Sequence, residues 1–105
     1  MATVKWGRSA KGQLKETVAF LTRHSKRRAL EVNTKIKEAA RLLRSVPWMG
    51  RVVREFNRED IREVVAAGYR VVYHVAEDRC MILGIVHGGA DLHGFLRLDD
   101  LDEGN

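Results

Sequence analysis

The chain has 105 residues, with 19 Lys and Arg against 14 Asp and Glu and a formal net charge of +5. That length suits one domain able to bury about two-thirds of the surface its unfolded form exposes. A single cysteine excludes an internal disulfide and a paired-cysteine metal site and fits a reducing cytoplasm, and no apolar run approaches the ~20 residues of a membrane-spanning helix.

Val4-Lys5-Trp6 reads as a short first strand. Between residues 10 and 24, Ala10, Leu14, Val18 and Leu21 recur at helical spacing with Ser9 as the expected N-cap, and Gly12 costs about 1 kcal/mol relative to Ala. Residues 26 to 45 repeat the pattern with Val32, Ile36, Ala39 and Leu43, followed by Val46; Ser25 is placed to cap this second helix. Only His24 to Lys26 separate the two apolar stripes, so the helices are expected to form an antiparallel hairpin, ended by Pro47 and Gly50. Trp48 and Met49 fall in that turn. They are expected to plug the core beneath the hairpin, the alternative being an exposed anchor for a partner.

After Gly50 the period becomes extended, with β-branched and aromatic residues from Val52 to Val86 and breaks at Asn57 to Asp60, Ala67-Gly68 and Glu77-Asp78. The spacing predicts three or four strands in an antiparallel meander, and hence an α+β domain with its helices on one face of the sheet. Val32, Ile36, Ala39 and Leu43 should then face Val71, Tyr73, Met81, Leu83 or their strand neighbours. Cys80, in the apolar run Cys80-Met81-Ile82-Leu83, is expected to be a buried, inert thiol.

Charge is distributed unevenly. Residues 1–98 hold all 19 basic side chains and 10 acids, a balance of +9, while Asp99, Asp100, Asp102 and Glu103 make residues 99–105 an acidic tail. A basic domain of this kind favours nucleic acid, a ribosome or an acidic protein, or simply carries a solvated charged surface. Alternation along Tyr69 to Val75 sends Tyr69, Val71, Tyr73 and Val75 to one face and Arg70, Val72 and His74 to the other. With Arg62 on the preceding strand, Arg62, Arg70 and His74 are expected to gather on the face free of helices, unless these arginines are solvated or paired with Glu55, Glu59, Glu63 or Glu77. His87 reads as a structural histidine or as a general acid or base. No His, Asp or Glu spacing suggests a metal site and no Gly-rich loop suggests a nucleotide, so neither metal nor cofactor is expected.

Four pieces stand in a telling order: Pro47-Trp48-Met49-Gly50-Arg51, Ile61-Arg62-Glu63-Val64, Tyr69-Arg70-Val71-Val72-Tyr73 and Val86-His87-Gly88. Over residues 3 to 92 this order resembles the ParE/RelE toxin superfamily of type II toxin–antitoxin systems, and the ParE branch more closely. The resemblance implies a cytoplasmic toxin domain over residues 1–98, held in a hetero-oligomer by a cognate antitoxin bound along the sheet face and the groove beside the hairpin. It implies a poison of DNA gyrase that works by binding and has no catalytic residues, with Arg51, Arg62, Arg70 and His74 as contacts to target or partner. The RelE alternative is a ribosome-dependent mRNA endoribonuclease, whose catalytic set here is Arg62, Arg70, Tyr73 and His87. Two departures weigh against it: family members often carry an Arg a few residues after this His, where this chain has none, and the C-terminus turns acidic. A third reading is a basic interaction domain without toxicity.

Overall fold

The computed structural model describes residues 1–90 and Leu92; His93, Arg97 and the acidic tail lie outside the described residues. A first strand, β1 (Thr3–Trp6), leads into α1 (Arg8–Thr22) and α2 (Lys26–Leu42), and then come β2 (Arg51–Val52), β3 (Ile61–Ala66), β4 (Tyr69–Ala76) and β5 (Arg79–His87). The helical hairpin and the α+β class agree with the sequence reading. β2 to β5 form the expected antiparallel meander, and β1 adds to it what the spacing did not indicate: it joins the β5 edge in parallel, from Thr3 opposite Arg79 to Trp6 opposite Ile82, giving the order β1-β5-β4-β3-β2. A parallel pair requires a long crossover, and here the helical hairpin and the strands that follow it supply that connection.

Local chemistry explains most element ends. Ser25 Oγ accepts from the Arg28 backbone N–H at 3.1 Å, capping α2 as expected. Ser9 does not cap α1. Gly7 holds that position in an extended conformation, and its own N–H donates to Ile82 O at 2.9 Å, so the helix starts as soon as β1 ends. The β3–β4 connection is the two-residue turn Ala67-Gly68 with φ of 53° and 85°, the doubly positive geometry that matches strand twist in a tight hairpin.

Val32, Ile36 and Leu43 are buried as predicted, with Ala40 rather than Ala39 completing the stripe. They pack with Ala10 and Leu14 of α1 against Val71, Tyr73, Val75, Cys80, Ile82 and Ile85. Cys80 is inaccessible, and burial pushes its thiol above the ordinary pKa. Met81 and Leu83 point the other way, leaving Cys80 and Ile82 on the helix side. Tyr73 pairs with Ile82 while Val72 pairs with Gly84, which makes Leu83 the extra residue of a bulge. On the second face, Met81 and Leu83 join Val72, Ile61, Val86, Val53 and Leu92 in a smaller core, flanked by Phe56 and Ala90. No described helix is long and apolar enough to cross a membrane.

Candidate functional site

The face of the sheet opposite α1 and α2 is built around Arg70. It sits in the middle of the sheet, opposite Val65 of β3 and Val86 of β5, and is only 8% exposed; Glu63, 4% exposed, is the other buried charged residue among those described. Burying a guanidinium and a carboxylate is strongly unfavourable unless each is paired and hydrogen-bonded throughout. Here the pairing is full. Arg70 Nε donates to Glu63 Oε1, while its two terminal nitrogens donate to Glu55 Oε2 and Oε1 at 2.8 and 2.9 Å. Arg51, opposite Glu63 in the register, donates from Nε to Glu63 Oε2 at 2.9 Å. The hydrogen bonds from Arg70 hold the Glu55 carboxyl down to about 2 against the opposing effect of burial, and the same pairing with Glu55 pushes Arg70 upward.

At the other end of β4, His74 Nε2 lies 2.9 Å from Asp60 Oδ2. Asp60 also accepts from Arg58 Nε and Nη2 at 3.0 and 2.7 Å, and Arg58 first, then His74, keeps its pKa below the usual carboxylate value. Arg70 and His74 therefore share the open face, as alternation predicted, although each is already engaged by carboxylates. Arg62 does not join them. Its cross-strand partner is Tyr73, and directly opposed residues point to the same side, so Arg62 emerges on the helix side. There it donates to Glu59 O at 2.8 Å and Gly50 O at 3.1 Å, and its guanidinium lies 5.1 Å from the centroid of the Trp48 ring.

Trp48 and Met49 do not plug the core; they are 49% and 40% exposed. The reason lies in the turn itself. Gly50 approaches the sheet so closely that a Cβ there would stand 2.6 Å from both Glu63 O and Tyr73 Oη, and its N–H donates to Tyr73 Oη at 2.9 Å. Tyr73 already fills the space beneath the turn, which turns the two large side chains outward. With Leu42 and Val46 they form an exposed apolar ridge along the end of α2.

These placements separate the set the nuclease alternative requires. Tyr73 is fully buried, its hydroxyl is bonded to Gly50, and burial raises its pKa. Arg70 lies across the sheet from Arg62 and Tyr73. His87 stands exposed at the end of β5, edge-on to Tyr69 with ring centroids 5.7 Å apart. Its partner Tyr69 is four residues, roughly 13 Å, along β4 from Tyr73.

Sequence reasoning named Glu55 and Glu63 as possible partners but missed Arg54, exposed in the loop after β2 and without a partner among the described residues. Nothing in its spacing distinguishes it from any solvated arginine. Among the described residues no group of three or more His, Cys, Asp or Glu is gathered that could hold a metal.

No curated protein matches the chain. A solved structure, the chromosomal ParDE TA system from P. aeruginosa, is similar in fold: TM-score 0.66 at 21% identity, covering 83% of this chain and 96% of that one. The family model for the ParE toxin of the type II toxin-antitoxin system, parDE, matches residues 4–92. That match spans β1 to the Leu92 contact on the open face, and the chain belongs to the ParE toxin family.

Proposed function

We propose that this type II toxin acts by binding DNA gyrase and not by cutting RNA, and that a cognate antitoxin neutralises it in a cytoplasmic hetero-oligomer. The observation that carries the reading is the separation of Arg62 and Tyr73 from Arg70 and His87. RNA cleavage requires an acid, a base and a cation converging on one phosphate, whereas these four groups lie on two faces and two ends of the sheet. A binding poison has no such requirement. It needs an accessible surface, and the exposed ridge of Leu42, Val46, Trp48 and Met49 beside Arg62 offers apolar area rimmed by charge. The same ridge suits an acidic amphipathic segment of an antitoxin.

The test is to add the purified chain to gyrase supercoiling and DNA-cleavage assays and, in parallel, to translating ribosomes. Inhibited supercoiling with intact mRNA is the expected result, and His87→Gln should retain it, because that change keeps hydrogen-bonding capacity and removes only a group that proton transfer would need. Ribosome-dependent mRNA cleavage that His87→Gln abolishes would replace the proposal with the endoribonuclease reading.

A further inference from the structure

On the open face, Arg51, Arg54, Glu55, Glu63 and Arg70 line a cleft of about 270 Å³. Three guanidinium groups meet two carboxylates there. All four carboxylate oxygens are already engaged: both of Glu55 by Arg70, and those of Glu63 by Arg70 and Arg51. What remains unspent among the described residues is cationic, namely the Arg54 guanidinium and the two terminal nitrogens of Arg51, whose side chain is 71% exposed although its Nε is fixed to buried Glu63.

We propose that this cleft receives one phosphodiester group of duplex DNA, its non-bridging oxygens bound by Arg51 and Arg54. Guanidinium forks match the planar spacing of phosphate oxygens, and a fork anchored through Nε loses less side-chain freedom on binding than a free one. The cleft has room for a phosphate and part of its sugar. Among the described residues no aromatic side chain lines it to serve as the stacking platform on which single-stranded nucleic acid is held. The balance of +9 over residues 1–98 supplies the long-range attraction. This deepens the gyrase reading by giving the toxin a contact to the DNA that gyrase holds.

The full-length chain is titrated onto a labelled DNA duplex over a series of salt concentrations, followed by anisotropy. Arg54→Ala should weaken binding several-fold and reduce the salt slope by about one, the signature of one lost phosphate contact. Arg51→Lys keeps the charge and loses the fork, so affinity should fall with the slope retained. Lys15→Ala, on the exposed surface of α1 across the sheet, should change little. An equal loss from Lys15→Ala, no loss from Arg54→Ala, or equally tight binding of single-stranded DNA overturns the proposal. So does a glutamate-rich peptide that binds more tightly than the duplex with the same dependence on Arg54. Gyrase inhibition is scored separately. If it is absent while Arg54-dependent duplex binding persists, the gyrase reading falls and the phosphate site stands; if gyrase is inhibited and duplex binding ignores Arg54, the reverse holds.

Discussion

On the helix-covered face of the sheet, Val71, Tyr73 and Val75 meet Val32, Ile36 and Leu43 around a single buried hydroxyl; on the opposite face, Val72, Met81 and Leu83 share the surface with Arg70 and Glu63. The first face is closed by two helices whose apolar stripes match the sheet. Among the described residues, the second is covered by Val53 and Phe56 of the loop after β2 and by Ala90 and Leu92, and a charge network shares it with them. The two solutions fail differently. An apolar core loses stability in proportion to the volume removed, whereas a buried charge network fails when any one member leaves another unpaired.

The largest effect is expected from Arg70→Leu, which strands Glu55 and leaves Glu63 with Arg51 alone. We expect a loss of about 4 kcal/mol in denaturant unfolding. Adding Glu63→Leu should recover part of it, and a double variant no more stable than the single one would show that charge pairing is not what holds this face. Acid probes the same network by a second route. Glu55 is held at about 2 in the folded chain against an ordinary 4.5, so its contribution is fully present above pH 4.5 and is lost as pH falls towards 2. The loss is on the order of 3 kcal/mol, and Glu55→Gln should flatten that acid limb in urea titrations made across the window.

On the helix side the expected effects are smaller. Tyr73→Phe leaves the Gly50 N–H without its acceptor, which should cost about 1 to 2 kcal/mol by thermal or urea unfolding; no change would mean that water replaces the hydroxyl. Trp48→Ala removes an exposed ring and one cation–π contact, so less than about 1 kcal/mol should be lost. A larger loss would make the ridge part of the core after all.

The helix-side face was largely legible in the sequence because its signal is periodic: a stripe on α2 and alternate residues on β4 each point inward without reference to anything else. The open face was legible only in part. Alternation put Arg70 and His74 there, but the side on which Arg62 emerges depends on the β3–β4 register, which the Ala67-Gly68 turn sets and no periodicity in β3 reveals. The parallel pairing of β1 with β5 likewise depends on the whole connection between them. Trp48 and Met49 were misplaced because apolar character says that a residue prefers burial, not whether space is left; Tyr73 had taken it. Arg54 became a candidate only once a cleft stood beside it.

The pairing of β1 with β5 also governs when the sheet is completed. Thr3 to Trp6 are made long before their partners, Arg79 to Ile82, which lie beyond both helices and three further strands. At synthesis rates of roughly 5 to 20 residues per second, the first strand waits several seconds with no edge to join. A nascent chain stopped short of β5 holds helices and hairpins but not the finished sheet, so the complete surface arises only once β5 has been made.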